Sequence, residues 1–229
     1  MKKVLILGGS SGIGKSCVNL FKQNGWYVFA SYYSHEKVTN ESLLEWFFLD
    51  IRNIPKNFLY SIPKVDAVVI TIAKNKTQSL EKLKREDTQE IFETNIFGQL
   101  EILQLIKSKL NNDSSIVLFG STVAQMGFRR RIAYGLTKAV IQNLTSTLAV
   151  EYAPHTRVNC VIPGYIKTEQ YIKNSGVDEK TRAKKILLGR LGEPEEVAKL
   201  VFFLSTESSS YINGESVTIN GGFNYDYEQ

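Results

Sequence analysis

Three side chains have the types and spacing for proton transfer. Ser121 closes an apolar run, residues 116–119, with the pattern of a buried strand. Tyr134 and Lys138 follow, four positions apart, at the start of a segment with helical periodicity. Residues at i and i+4 share a helix face, so a phenol and an ammonium would stand side by side. A hydroxyl would reach them from the strand end. Asn95 is a fourth candidate, on or beside the apolar stripe of a helical segment spanning 83–110. An amide there is costly unless hydrogen-bonded, and a satisfied structural amide is the equal alternative.

The elements that must position these groups alternate along the chain. An apolar strand, 4–7, runs into Gly8, Gly9, Ser10, Ser11, Gly12, Ile13 and Gly14, and then into a helical pattern that stops near Gly25. Strand, glycine-rich turn and helix form the first half of a dinucleotide-binding unit. Glycines let backbone approach a pyrophosphate, and the helix N-terminus offers unpaired N–H groups to it. Without a ligand, the same turn is a plain strand–helix connection.

A second strand, 27–31, is followed by Tyr32, Tyr33 and Ser34, with no carboxylate placed to accept a ribose 2′-hydroxyl. That favours NADP(H) over NAD(H). No arginine sits at this position, and Ser10, Lys15, Ser34, His35 and Lys37 are the nearby candidates for a phosphate. A third strand, 46–49, ends in Asp50. It comes only about 14 residues after the second, so the helix between them is short or absent.

Further strands are predicted at 67–72, 157–162 and 216–219, and helices at 134–152 and 195–204, the last opened by Pro194. The charged segment 175–190 is either a mobile helical flap over the strand ends or a plain surface helix. This order predicts an α/β fold: one domain, 1–229, a doubly wound, Rossmann-like parallel sheet with helices on both faces.

The chain has 229 residues and a formal net charge of +5. Its two cysteines, Cys17 and Cys160, are no disulfide framework and suit a reducing compartment as buried, inert thiols. The first residues enter a strand without a signal-peptide pattern, and no apolar run approaches the roughly 18 residues that span a bilayer. The expectation is a cytoplasmic protein without membrane or nucleic-acid partners, and nothing suggests a metal site.

In order and over the whole length, these motifs resemble the short-chain dehydrogenase/reductase family, in particular its 3-oxoacyl-[acyl-carrier-protein] reductase-like members. Gly8-xxx-Gly12-x-Gly14 is similar to the family's cofactor loop, and Asp50-Ile51 to its adenine-contacting pair. Asn95, Ser121, Tyr134 and Lys138 are similar to its active-site set. Pro163-Gly164-Tyr165-Ile166-Lys167-Thr168 resembles the loop that meets the nicotinamide. Residues 190–198 and Asn220-Gly221-Gly222 resemble its C-terminal motifs. Leu7 replaces the threonine before the first glycine, and Thr71-Ile72-Ala73-Lys74 stands where the family has Asn-Asn-Ala-Gly.

The resemblance implies an NAD(P)-dependent oxidoreductase acting on a small carbonyl or alcohol. The cofactor would meet Gly8, Ser10, Ser11, Gly12, Ile13, Gly14, Tyr33, Ser34, Asp50, Ile51, Ala73, Tyr134, Lys138, Pro163, Gly164, Ile166 and Thr168. Reducing a ketone makes an alkoxide that needs a proton. A tyrosine with an ordinary pKa of about 10 is a poor two-way donor. Lys138 is expected to lower that pKa and to bind ribose hydroxyls, Ser121 to hold the substrate oxygen, and Asn95 to hold a water joining Lys138 to solvent.

Arg129, Arg130 and Arg131 lie between the serine and the tyrosine. They can receive an anionic or carrier-bound substrate, or form a solvated basic turn. Reduction of a carbonyl, such as a 3-oxoacyl thioester, is the first reading. Oxidation of a sugar, polyol or other alcohol is the second, and a silent dinucleotide-binding sensor the third. A homotetramer or homodimer is expected through the two long helices. Phe97, Leu100, Leu144 and Leu148 suit such an interface and suit the core equally.

Overall fold

Seven parallel strands form one sheet in this computed structural model, which describes residues 1–34, 41–55, 57–174, 176 and 178–223. The candidates His35 and Lys37, and Ser175 at the start of the expected flap, lie outside the described residues. The strands are β1 (Lys3–Leu7), β2 (Tyr27–Tyr32), β3 (Leu44–Phe48), β4 (Val65–Ile70), β5 (Leu110–Phe119), β6 (Thr156–Pro163) and β7 (Ser216–Ile219). Their order is β3-β2-β1-β4-β5-β6-β7, so the winding reverses between β1 and β4. In open parallel sheets, ligands bind beyond the strand ends at such a reversal.

The central strands are apolar over most of their length because both faces are covered. Val4, Ile6, Val69 and Val117 pack on one side with Phe21 of α1 (Gly12–Gln23) and Val201 of α7 (Pro194–Leu204). Leu5, Val68 and Ile116 pack on the other with Ile102 of α3 (Gly98–Ile106) and Ile141 of α4 (Ile132–Tyr152). Leu148 belongs to this second core at 7% exposure, which removes it from the expected interface; Phe97 and Leu100 are exposed. The short helix α6 (Glu179–Ala183) stands where a flap was expected, and α5 (Glu169–Asn174) comes just before it.

β5 begins six residues before the apolar run that announced it. Its first half, with Asn111, Asn112 and Asp113, is polar, and Asp113 has φ of +60° beside a register shift on β4. Asp66 anchors this end, accepting from the Lys3 N–H at 2.7 Å and the Asn111 amide at 3.0 Å.

The segment expected as one helix over 83–110 is broken. α2 (Arg85–Phe92) passes into a π-turn, Glu93–Phe97, before α3, and Asn95 lies inside that turn. π-turns within helices concentrate at functional sites. Gly98 follows it because the chain there touches the loop after β3. An added Cβ would stand 2.3 Å from the Ile51 carbonyl oxygen. Gly98→Ala is therefore expected to destabilise the protein by about 1–3 kcal/mol, the usual cost of overpacking against rigid backbone. Gly127, with nothing within 4 Å of an added Cβ, serves as control. Urea unfolding of Gly98→Ala and Gly127→Ala should shift the midpoint only in the first.

Candidate active site

The glycine-rich turn is shaped by contacts that exclude side chains. A Cβ on Gly14 would lie 2.1 Å from the Gly8 carbonyl oxygen, and one on Gly8 would lie 2.6 Å from Thr71 Oγ1. Thr71 explains how the strand-four substitution is tolerated. Its hydroxyl donates to the Leu7 and Gly8 carbonyls at 2.9 and 3.1 Å, lacing the end of β4 to the turn. Gly8 N–H and Gly9 N–H are held by Ser31 at 2.9 and 3.0 Å. Ser11 is the N-cap residue of α1 but its side chain caps nothing, so the helix presents N–H groups without a side-chain acceptor. Ser10 and Ile13 are half-buried on this rim, and Gly12 faces Thr168, whose Cγ2 would be 3.3 Å from an added Cβ.

Ser121 sits at the mouth of β5 with extended backbone and accepts from the Val123 N–H at 3.2 Å. Tyr134 is in the first turn of α4. Lys138, one turn on, is 2% exposed and donates to the Phe119 carbonyl at 2.7 Å. Its Nζ is 5.6 Å from the centre of the Tyr134 ring. The three expected groups are thus brought together.

Their electrostatics differ from expectation. Burial raises the Tyr134 phenol above its ordinary value, and the opposing influences are a hydrogen bond with Ser121 and the Arg131 charge, not Lys138. The physical reason is that the Lys138 ammonium is itself desolvated. Burial brings its pKa down from 10.5 to about 8.

Asn95 is fully buried and its side chain is committed. It donates to the Lys74 carbonyl at 2.9 Å and to Thr137 Oγ1 at 3.0 Å, and accepts from the Lys74 N–H at 2.7 Å. Thr137 donates in turn to the Tyr134 carbonyl at 2.9 Å. Both amide hydrogens are taken, so the side chain is a structural tie from the β4 loop to α4 and cannot donate to the expected water. Thr137 was not a candidate, and its small hydroxyl gives no sign of a role until the fold sets it against Asn95. Gln99 adds a second tie, donating to the Ile72 carbonyl at 3.0 Å.

Around the adenosine end, Asp50 is occupied by a neighbour. Arg52 donates to its two carboxylate oxygens at 2.9 and 2.8 Å and holds the carboxyl below its usual range. The same guanidinium donates to the Tyr33 hydroxyl at 2.8 Å and to Glu90 at 3.2 Å. Sequence found no arginine after β2; one arrives instead from after β3. Lys74, which could have pointed to solvent, pairs with Glu90. Ile51 is buried, while Ala73, Ser34 and Lys15 are exposed.

On the nicotinamide side, Gly164 N–H donates to Ile219 O at 2.9 Å, and Asn220 leaves no room for a Cβ at Gly164. Pro163 ends β6, Ile166 bridges to Gly192, and Thr168 Oγ1 accepts from Tyr171 N–H at 3.1 Å.

The arginine triplet is divided. Arg129 and Arg130 are exposed and Arg130 has φ of +64°, its carbonyl held by Gln78 N–H at 3.0 Å. Arg131 is half-buried and acts on Tyr134. Both cysteines are free and buried, and burial pushes Cys17 up to about 12. No helix among the described residues is long and apolar enough to cross a membrane, and no cluster of metal-ligating side chains occurs among them.

The sequence profile of the family described as Enoyl-(Acyl carrier protein) reductase matches residues 49–224. The 3-oxoacyl-[acyl-carrier-protein] reductase FabG of Thermotoga maritima is 31% identical over 96% of this chain and 97% of its own. A short chain dehydrogenase family protein from Francisella tularensis superposes with a TM-score of 0.89 at 26% identity, over 98% of this chain and 99% of its own. The structure of ElxO with NADP bound gives 0.85 at 28% identity, over 97% and 98%.

The Lys138 shift has a measurable consequence. Below pH 8 the folded protein holds a buried charge that the unfolded chain would leave in water. Between pH 8 and 10.5 the unfolded chain binds more protons, so this site makes stability rise with pH across that window. Lys138→Met removes a cost of roughly 3 kcal/mol at neutral pH and incurs about 1–3 kcal/mol for an unpaired Phe119 carbonyl. Without cofactor, the variant should melt at or slightly above the parent temperature at pH 7. Its advantage should shrink steadily as pH rises from 8 to 10.5; a pH-independent difference would contradict the buried charge.

Proposed function

The chain belongs to the short-chain dehydrogenase/reductase family, and on that premise we propose that it reduces a carbonyl compound with NADPH, Tyr134 delivering the proton. The observation that carries this reading is the meeting of Ser121, Tyr134 and Lys138 at the end of β5, with the Lys138 Nζ 5.6 Å from the Tyr134 ring centre and the phenol hydrogen-bonded to Ser121. A phenol held protonated gives up its proton only to a stronger base, such as the alkoxide formed by reduction. Ser121 orients the substrate oxygen, and the Arg131 charge favours the phenolate left behind.

The residues fit a nicotinamide dinucleotide. Lys138 carries a buried ammonium with one protein acceptor, which suits the hydroxyls of a ribose. The uncapped N-terminus of α1, lined by Gly8, Ser10, Ser11, Gly12, Ile13 and Gly14, suits a pyrophosphate. Asp50, Ile51 and Ala73 border the adenosine end, and Pro163, Gly164, Ile166 and Thr168 the nicotinamide end. A bound reduced nicotinamide supplies the hydride. Everything else in the reaction is the placing of the oxygen and the supply of the proton.

Two observations support NADPH over NADH. No carboxylate stands at Tyr32, Tyr33 or Ser34, and the Arg52 guanidinium reaches Tyr33, where an additional phosphate would compete for it with Asp50 and Glu90. A 3-oxoacyl thioester is the first substrate class to test, since the Thermotoga maritima reductase aligns over nearly the full length. Exposed Phe97 of the π-turn, Leu100 of α3, and Leu136 and Val140 of α4 support self-association as a dimer or tetramer.

Tyr134→Phe should lower kcat/KM for any accepted carbonyl by at least ~10²-fold while leaving NADPH affinity, read by cofactor fluorescence, little changed. Arg52→Gln should cut the preference for NADPH over NADH by on the order of tenfold in the same titration. An unaltered ratio would rule out the cofactor assignment without touching the role of Tyr134.

A further inference from the structure

Three loops beyond the strand ends and the helix α5 bring aromatic rings together. Phe128 comes from the loop before α4, Tyr165 from the loop after β6, Tyr171 from α5 and Phe223 from beyond β7. Ring centres are 5.8 Å apart for Phe128 and Phe223, 4.7 Å for Tyr165 and Phe223, and 5.9 Å for Tyr165 and Tyr171. Arg182 of α6 lies against this cluster. Its guanidinium carbon is 4.7 Å from the Tyr165 ring centre, and its Nη1 donates to the Tyr165 hydroxyl at 2.6 Å.

The cation in this cluster lacks a countercharge. Among the described residues Arg182 has no carboxylate partner, and Glu179, one turn earlier, is taken by Lys167 at 3.0 Å. Arg52 and Arg190, by contrast, are each paired with carboxylates, and Arg157 with three backbone carbonyls. Two polar atoms here are buried and unsatisfied: Nε of Arg182 and the hydroxyl of Tyr171. Arg182 lowers the phenol's pKa by its charge and by a weak contact with the hydroxyl, but no hydrogen bond of good geometry joins Nε to that oxygen. Buried donors without acceptors are rare and mark a strained place or a missing ligand. With Nη1 held by Tyr165, the Nε edge remains. That edge can receive an oxyanion side-on, and the Tyr171 hydroxyl adds a donor next to it.

We propose that Arg182, backed by Tyr165 and flanked by Tyr171, receives an oxyanion carried by the carbonyl substrate, a carboxylate or a phosphate, while Phe128 and Phe223 pack its carbon chain. This assignment rests on the reductase reading above and names the substrate class. It places anion recognition on the segment after β6 rather than on the Arg129–Arg131 turn. Two of those three arginines are exposed, and the third is coupled to Tyr134. The segment carrying α6 then holds the charge that recognises substrate. Lys167 and Glu179 tie that segment to the loop after β6, and Leu188 N–H donating to Gly221 O at 3.1 Å ties it to the β7 end.

The test uses the full chain loaded with NADPH. Thermal shift is followed against acetoacetate, methyl acetoacetate, acetoacetyl-coenzyme A and inorganic phosphate, since stabilisation follows bound ligand by mass action. Acetoacetate and phosphate should stabilise and the uncharged ester should not. Arg182→Gln should weaken the acid at least tenfold, and Arg182→Lys should keep part of it. Tyr171→Phe should weaken it less, and carries the test if Arg182→Gln does not fold.

Loss confined to the coenzyme A thioester identifies the phosphate of a carrier arm as the oxyanion. An equal response to acid and ester, or unchanged binding in Arg182→Gln, would overturn the assignment. Tyr134→Phe separates the two readings. It should keep acid binding and lose NADPH oxidation, so binding without turnover in the parent protein would sink the reductase reading alone.

Discussion

The bond from the Lys138 ammonium to the Phe119 carbonyl is the constraint on which the site depends. It joins the first turns of α4 to the end of β5, two residues before Ser121, and so fixes the distance between the hydroxyl and the phenol. It is an expensive contact, since a buried cation donates to a single neutral oxygen. Packing alone would favour an apolar side chain there. The charge survives because α4 is long, twenty-one residues, and held by Ile141, Leu148 and Tyr152 against the sheet. The stability of the core supports a local arrangement that is unfavourable by itself.

A second chain of contacts keeps that helix in register with the cofactor side. Thr71 holds the glycine turn, the backbone at Lys74 holds Asn95, Asn95 holds Thr137, and Thr137 holds the Tyr134 carbonyl. Each member is a buried polar group whose needs are met by the next. This explains why the β4 loop can dispense with the asparagines usual in the family. What the loop must supply is backbone partners for Asn95 and Gln99, and Lys74 and Ile72 supply them respectively. The π-turn that contains Asn95 is the local distortion accompanying this pairing.

Much of the fold was legible because both faces of the sheet are covered. Largely apolar runs announced β1, β4 and β6 to within a residue or two, and β7 was expected where it stands. The first half of β5 was hidden, since Asn111 to Ser115 have turn chemistry and are held by Asp66 and by Thr156 across the strand. Ser121, Tyr134 and Lys138 could be read from spacing because a helix repeats every 3.6 residues. Arg52, Thr137 and Arg182 could not. Each sits in a position where only tertiary folding decides its neighbour: Tyr33, Asn95 and Tyr165 respectively. Helical periodicity set Leu148 on a stripe with Leu144 without saying that this stripe turns toward the sheet. The expected influence of Lys138 on the phenol failed for another reason: proximity was visible in sequence, but desolvation was not.

The N-terminus of α4 has no side-chain cap and no acidic residue in its first turn. Aligned peptide dipoles give such an end about half a positive charge, undiminished when no carboxylate answers it. Tyr134 stands within that first turn. The helix therefore contributes a fixed electrostatic field that is present whatever the protonation state of Lys138, and it points the right way to stabilise a transient phenolate. The omission of a capping group, costly to the helix, leaves its macrodipole available to the chemistry.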